Sequence, residues 1–288
     1  MRDTILPLVD CKWGQSAPYN NNLKAGSKKL LVGCTALAVA QIGYYWMVQR
    51  GYHRGCKATA IYTTPTNKYT MSALPPLTVF DWDNLAEIPR TAAEKNAVAT
   101  LCEYIAKALK SDFTKSGTAA KRTSVVSVIN NYLRLGESRQ VYQATVGKAE
   151  FDRIIYEDLA HGRPVYMSAT SDGGHSYVID GYDADSGKYH VNWGFNGLYD
   201  DYYPLNAMIL PDKTNYNGSK MAVVNIEPQY KLGDVNGDGI INLTDLMHVV
   251  NAKNTGKATK QTDINSDGKV TQEDVDLIEK HLIDGKTL

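Results

Sequence analysis

The apolar and polar positions of this chain follow a helical period first and a strand period later. Apolar residues recur at helical spacing from Cys34 to Arg50, and Gly51 follows as a stop signal. Three further helices are predicted, over Thr91–Lys110, Lys121–Leu135 and Lys148–His161. Short runs rich in Val, Ile and Tyr then predict strands over Pro164–Thr170, His175–Tyr182, Lys188–Trp193, Asp201–Leu205 and Met221–Glu227. Helices first and antiparallel strands later indicate an α+β domain.

The composition changes after Pro228, where Asp, Asn and Gly recur at regular intervals. We therefore predict two domains, residues 1–229 and residues 230–288. Two segments of the second domain match each other 29 residues apart, beginning at Asp234 and Asp263. In each, oxygen-bearing side chains fall at loop positions 1, 3, 5, 9 and 12 and glycine falls at position 6, and an apolar helix pattern follows. This spacing wraps a chain around one calcium ion.

The predicted calcium ligands are side-chain oxygens, together with one backbone carbonyl at loop position 7. In the first loop they are Asp234, Asn236, Asp238, Ile240, Asn242 and Asp245. In the second loop they are Asp263, Asn265, Asp267, Lys269, Thr271 and Asp274. The alternative is a pair of ordinary Asx-rich turns. Two matches in register favour two structural calcium ions instead.

Charge and composition narrow the function classes. The 288 residues include 31 basic and 31 acidic side chains, so no net charge attracts nucleic acid or an anionic membrane. No stretch reaches the roughly 18 uninterrupted apolar residues expected of a membrane span. Neither a signal peptide nor a pro-segment is evident, so a secreted protein would have lost both from this chain. The cysteines form no C-x-x-C pair that would indicate a zinc or redox motif; they are Cys11, Cys34, Cys56 and Cys102.

Cys34 is a candidate nucleophile because it lies in the first turn of a predicted helix, whose N-terminus favours a thiolate. His175 enters a strand after two glycines, where a substrate can approach closely. A hairpin brings Asn192 near His175, about three residues out of direct register, so a bulge or an uneven loop is required. An Asn192 carbonyl accepting from the imidazole would fix its tautomer, with Trp193 shielding that bond. The alternatives are a buried cysteine and a structural histidine.

Three segments together resemble the streptopain family of papain-like cysteine peptidases. They are Gly33-Cys34-Thr-Ala-Leu-Ala-Val-Ala-Gln41-Ile, Gly174-His175-Ser-Tyr-Val-Ile-Asp-Gly181 and Tyr189-His-Val-Asn192-Trp193-Gly194. An early Gln15-Ser-Ala-Pro-Tyr19-Asn is also similar to that family's glutamine segment. The resemblance implies Cys34 as nucleophile, His175 as general base and acid, and Asn192 as orienter. It also implies that the Gln15 side chain and the Cys34 N–H form the oxyanion hole.

The C-terminal repeat resembles type I dockerin modules over residues 233–284. Position 12 of each loop is Asp rather than the Glu of an EF-hand. The resemblance implies two calcium ions and a cohesin-type partner protein that contacts positions 10 and 11. These positions are Leu243-Thr244 and Gln272-Glu273, which differ between the repeats. A calcium-stabilised appendage without such a partner is the alternative.

The expected architecture is therefore α+β, a papain-like cysteine peptidase domain followed by a small α-helical calcium module. The expected function is a secreted endopeptidase that acts on proteins or peptides through an acyl-enzyme, with no cofactor for catalysis. Two alternatives remain. One is a papain-like acyltransferase or amidase that uses the same residues, and the other is an inactive scaffold attached through the dockerin module.

Overall fold

The computed structural model describes residues 2–52, 57–75, 80–114, 117–170, 173–228, 232–236, 240–259, 261–285 and 288. Cys56 and the predicted calcium ligand Asp238 lie outside the described residues. The helices of the described part are α1 Cys34–Tyr44, α2 Ala92–Ala108, α3 Val125–Ser127, α4 Gln143–Val146, α5 Lys148–Ala160, α6 Leu243–Thr255 and α7 Gln272–Asp284.

Three of the four helices predicted in the first domain are confirmed. The first forms α1 and continues into a π-helical turn, Tyr45–Gln49, that ends at Arg50. The second forms α2, which begins with a capping box between Thr91 and Glu94. The helix predicted over Lys148–His161 forms α5.

The prediction of one regular helix over Lys121–Leu135 is wrong. The segment forms a 3-10 turn at Arg122–Ser124, the short α3 and a π-helical turn at Val128–Tyr132. β-Branched residues crowd this stretch and lose rotamer freedom in a helix. Asn130 also directs its side chain to Ser138, accepting from the Ser138 N–H at 3.0 Å, which ties the turn to the next segment.

A six-stranded sheet forms the centre of the first domain. The strands of the described part are β1 Lys24–Ala25, β2 Lys28–Lys29, β3 Tyr62–Thr63, β4 Thr70–Met71, β5 Asp112–Phe113, β6 Thr118–Ala119, β7 Arg139–Tyr142, β8 Val165–Thr170, β9 Gly174–Asp183, β10 Lys188–Asn192, β11 Asp201–Tyr203 and β12 Met221–Val224. The sheet has the order β11-β10-β9-β8-β12-β7, and all of its neighbouring strands are antiparallel. The five predicted strands are confirmed. Sequence reasoning missed β7, a polar strand at the edge.

The alternating side chains of the sheet divide the core into two layers. Tyr166 and Val178 belong to a cluster that contains the buried faces of α1 and α2. Tyr177 and Ile179 belong to a second cluster that contains Phe151 of α5. Because successive strand residues point to opposite faces, the sheet lies between α1 and α5. This arrangement places the N-terminus of α1 beside the start of β9.

The second domain contains α6 and α7, which share a cluster of buried apolar residues around Val249 and Ile278. Each helix begins with a capping box formed by loop positions 9 and 12, Asn242 with Asp245 and Thr271 with Asp274. No helix within the described residues is long and apolar enough to cross a membrane.

Candidate active site

Cys34 is the first residue of α1, and the turn before it requires glycine. Gly33 has φ of 87°, and a Cβ at this position would lie 2.9 Å from Thr118 side-chain carbons. The thiol therefore lies at the positive end of α1, where roughly half a unit charge favours an anion. Burial disfavours the thiolate, but hydrogen bonds and charge from His175, with hydrogen bonds from Ser176, outweigh it and lower the pKa of Cys34.

His175 is buried at the start of β9 among aromatic rings. Its Nε2 lies 2.9 Å from the backbone oxygen of Trp193. A carbonyl oxygen only accepts, so Nε2 carries the proton and Nδ1 is left as the basic nitrogen for Cys34. The rings of Trp193, Phe195 and Tyr216 lie 4.8–6.0 Å from the imidazole, centroid to centroid. These rings restrict water around the imidazole.

The predicted bond from His175 to the Asn192 side chain is replaced by the bond to Trp193 O. Asn192 pairs with Val178, three residues from His175, beyond a register shift between His190 and Val191. This agrees with the predicted offset and bulge. Because paired strand residues point to the same face, Asn192 shares the face of Val178, whereas His175 is on the other face. Its Oδ1 accepts from the Gln41 side chain at 2.7 Å, on the α1 side of the sheet.

Gln15 is half-buried beside the chain that enters α1. Its backbone oxygen accepts from Val32 N–H at 3.1 Å, two residues before Cys34. On its other side, Trp13 O accepts from Asn196 N–H at 3.1 Å, so the Gln15 segment also contacts the loop that follows Trp193. The structure thus brings the backbone of four predicted site residues into one region: Gln15, Cys34, His175 and Trp193.

Sequence reasoning missed a cluster of titratable side chains on β9, β10 and the loop before β11. Asp180 is fully buried, and its Oδ1 lies 2.6 Å from His190 Nδ1. Burial opposes protonation of His190, but the bond to Asp180 outweighs it and raises the His190 pKa. Nearby, Asp200 Oδ1 accepts from Trp193 N–H at 2.8 Å, and burial raises the Asp200 pKa to about 6. A cleft of about 250 Å³ borders Lys12, His190 and Asp200.

In the second predicted calcium loop, two carboxylates accept hydrogen bonds from the loop's own backbone. Asp263 accepts from the N–H groups of Asp267 and Gly268 at 3.1 and 2.9 Å. Asp274 is fully buried and accepts from Ile264 N–H and Thr271 N–H, both at 2.7 Å. No three His, Cys, Asp or Glu side chains of the described residues converge at metal-binding distance. Carboxylate, amide and hydroxyl oxygens nevertheless share one turn of chain, and this donor set fits calcium.

Asp245 has the same position in the first loop. It is fully buried and accepts from Asn236 N–H at 3.0 Å and Asn242 N–H at 2.9 Å. Each acidic residue at position 12 thus joins the loop to the first turn of its helix. The shorter Asp, which departs from the EF-hand pattern, forms the capping box in both repeats.

Two family descriptions match this chain. The description "Peptidase C10 family" matches residues 13–203, and "Dockerin type I domain" matches residues 232–283. Streptopain of Streptococcus pyogenes is 26% identical over 255 residues, which cover 78% of this chain and 63% of that protein. The thiol protease/hemagglutinin PrtT of Porphyromonas gingivalis is 25% identical over 234 residues, covering 75% of this chain and 26% of that protein. The chain thus spans less than two thirds of the length of these relatives.

Solved structures give the same relationship. Active wild-type interpain A, a cysteine protease of Prevotella intermedia, has a TM-score of 0.70 at 26% identity, covering 78% of this chain and 95% of that one. A mutant prointerpain A fragment from the same organism has a TM-score of 0.67 at 27% identity, covering 79% of this chain and 73% of that one. These matches confirm the α+β papain-like fold and both resemblances drawn from the sequence.

We expect Asp200→Asn to change how stability depends on pH. The folded-state pKa of about 6 lies above the usual aspartate value of 3.8, so the stabilisation from this group is present below pH 4 and is lost as pH rises through 6. The wild type should therefore lose about 2 kcal/mol relative to Asp200→Asn between pH 4 and pH 7. Urea unfolding at both pH values measures this difference.

The neighbouring exposed Asp201 supplies the control. Asp201→Asn removes one carboxylate without touching Trp193, so it should follow the wild type at both pH values. A constant difference between wild type and Asp200→Asn from pH 4 to pH 7 would contradict the prediction.

Proposed function

Because this chain belongs to the peptidase C10 family, we propose that it is a cysteine endopeptidase in which Cys34 attacks the substrate and His175 transfers the proton. The observation that carries this proposal is the placement of Cys34, at the N-terminus of α1, beside His175: Thr35 Oγ1 and Ser176 Oγ of the adjoining residues lie 3.1 Å apart. The interaction with His175 lowers the pKa of the thiol despite its burial. A thiolate is the nucleophilic form of cysteine, so this geometry prepares the side chain for acyl transfer.

The proposed reaction has two stages. Nδ1 of His175 takes the Cys34 proton, and the thiolate sulfur bonds to the peptide carbonyl carbon. The C–N bond then breaks as His175 returns that proton to the leaving amine, which leaves a thioester on Cys34. His175 next deprotonates a water molecule that attacks the thioester, and the carboxylic acid leaves as the thiol is restored. Nε2–H stays hydrogen bonded to Trp193 O in both stages, so Nδ1 makes both proton transfers.

We propose that Gln15 and the Cys34 backbone N–H stabilise the oxyanion. The Cys34 N–H belongs to the first turn of α1, where backbone donors have no partner within the helix. The Gln15 segment is hydrogen bonded to the chain that enters this turn, which supports a shared role. One such donor commonly contributes about 3 kcal/mol of transition-state stabilisation.

We expect Cys34→Ala to lower cleavage of an unfolded protein substrate by at least about a thousandfold, because the nucleophile is lost. An epoxide thiol inhibitor should label wild type at Cys34 and should not label this variant. Cleavage is followed by gel electrophoresis, and labelling is located by peptide mass spectrometry.

Cys102→Ala is the matched control. Cys102 is fully buried, and desolvation raises the pKa of its thiol, so this cysteine is not a nucleophile. Its alanine variant should retain cleavage and labelling. Equal cleavage by wild type and Cys34→Ala would contradict the peptidase proposal. Labelling of Cys34 without hydrolysis, but with transfer to an added amine, would support the acyltransferase alternative instead.

We further propose that the Dockerin type I domain binds two calcium ions through its two loops. In the first loop the ligands are Asp234, Asn236, Asp238, Ile240 carbonyl, Asn242 and Asp245, and in the second Asp263, Asn265, Asp267, Lys269 carbonyl, Thr271 and Asp274. Calcium would neutralise these closely spaced oxygens and stabilise both helix N-termini. This role is structural, and catalysis needs no cofactor.

Removal of calcium is expected to speed amide exchange in α6 and α7 while leaving the central sheet protected, because the loops lose the ion between their carboxylates. Hydrogen exchange with mass spectrometry, with and without a chelator, measures this. Asp263→Ala should weaken calcium binding at least about tenfold, and Asp276→Ala, on the exposed face of α7, should not. Unchanged exchange after chelation would refute the calcium proposal.

The dockerin match also supports a protein located outside the cell or on the cell surface, attached through a cohesin-type partner. Three apolar side chains near the start of α6 are strongly exposed: Ile240 at 64%, Leu243 at 68% and Met247 at 71%. Exposed apolar clusters of this kind are typical of protein-binding surfaces.

We expect the chain to bind a cohesin domain only with calcium, and we expect Met247→Asp to weaken that binding at least about tenfold because a buried charge is costly. Calorimetric titration measures the affinity. Ile88→Asp, at another exposed apolar site in the first domain, should bind normally. Failure of the wild type to bind any cohesin in calcium would favour the appendage without a partner.

A further inference from the structure

The side chain of Gln41 is buried where α1 faces the sheet, and its direction is set by its neighbours. The exposed fraction of Gln41 is 1%, and its Nε2 lies 2.7 Å from Asn192 Oδ1 and 3.3 Å from Cys11 O. Cys11 O can only accept a hydrogen bond, so the amide must turn its NH2 group towards it. A buried amide held in this way fixes the orientation of the groups it contacts as well as stabilising the core.

The orientation of Asn192 is fixed independently. Its Nδ2 donates to Cys11 O at 2.7 Å, and its Oδ1 accepts from Gly194 N–H at 3.1 Å. A backbone N–H can only donate and a carbonyl can only accept, so these two contacts assign the Asn192 amide without ambiguity. The Oδ1 atom therefore has two donors, Gly194 N–H and Gln41 Nε2.

Gly194 N–H and Trp193 C=O belong to the same peptide group. The N–H end of that peptide donates to Asn192, and the C=O end accepts from His175 Nε2 at 2.9 Å. A planar peptide held at its N–H end has a fixed carbonyl direction. Successive hydrogen bonds through one peptide also polarise each other, which strengthens the bond to the imidazole.

We propose that Gln41 is a positioning residue for His175, acting through Asn192 and the Trp193–Gly194 peptide. This inference rests on the proposed roles of Cys34 and His175, and it gives Asn192 an indirect part in orienting the imidazole. Gln41 lies seven residues after Cys34, two turns of helix later, so α1 carries both the nucleophile and the group that fixes the histidine. A shift of α1 would therefore move Cys34 and Gln41 together.

The test measures ionisation of Cys34 and needs no peptide cleavage. The rate of alkylation of Cys34 by iodoacetamide is measured against pH by peptide mass spectrometry. Gln41→Asn, one methylene shorter, and Gln41→Met, which has no amide, both lose the donor to Asn192. If His175 is held less well, the midpoint of alkylation should rise by about one pH unit. The other titratable groups beyond this peptide, Asp200, His190, Asp180 and Lys12, are the same in every variant.

Asn130→Leu supplies the control for loss of stability alone. Asn130 exchanges hydrogen bonds with Ser138 between the π-helical turn and β7, away from Gln41. Its variant should unfold at lower urea concentration but keep the wild-type alkylation midpoint. Combining Gln41→Met with Asn192→Leu should shift the midpoint no further than either change alone, because both break one chain of contacts.

Two results would overturn the inference. One is a folded Gln41→Asn or Gln41→Met protein with the wild-type alkylation profile, and the other is an equal shift in Asn130→Leu. If Gln41→Met does not fold, Gln41→Asn alone decides the question, since it keeps a polar amide at the site. Absence of peptide cleavage by the wild type would contradict the proposed function but would leave this measurement interpretable.

Discussion

The contact between the first turn of α1 and the start of β9 is the constraint on which the rest of the first domain depends. Thr35 Oγ1 lies 3.1 Å from Ser176 Oγ, and Ser176 Oγ lies 2.7 Å from the Tyr166 hydroxyl. All three side chains are buried, so breaking this chain would leave polar groups without partners in a core, which commonly costs 1–3 kcal/mol for each group. The contact brings together two segments that lie 141 residues apart.

Local sequence predicted Cys34 and His175 as candidate reacting side chains but did not predict the acceptor for the imidazole. A cysteine at a helix start and a histidine after two glycines carry visible local signals. The acceptor depends on which face of the sheet each residue occupies, and one irregularity between His190 and Val191 decides that. The predicted offset of about three residues agrees with the structure, but the exact count decides between the two faces, and it depends on that irregularity. The adjacent carbonyl of Trp193 therefore takes the role expected of the Asn192 side chain.

Gln41 and Asp200 carried no signal of their own because their roles exist only after folding. Gln41 reads as one polar position on an otherwise apolar helix, and Asp200 reads as part of a polar loop. The Gln41 side chain donates to Asn192 Oδ1, and Asp200 Oδ1 accepts from Trp193 N–H. Both residues lie outside the segment that contains Asn192 and Trp193. In the second domain the repeat predicted the positions of candidate calcium ligands, and these remain a prediction. The repeat did not predict that positions 9 and 12 pair in capping boxes, because this pairing depends on where each helix begins.

Gly194 limits how this site can vary between related chains. Its φ of 73° suits glycine, and an added Cβ would lie 2.8 Å from Leu37 on α1. A larger residue would be strained at this φ and would displace the end of the Leu37 side chain, so it would disturb the peptide that faces His175. A related chain with another residue at this position is therefore a candidate pseudoenzyme, even when its cysteine and histidine are both retained.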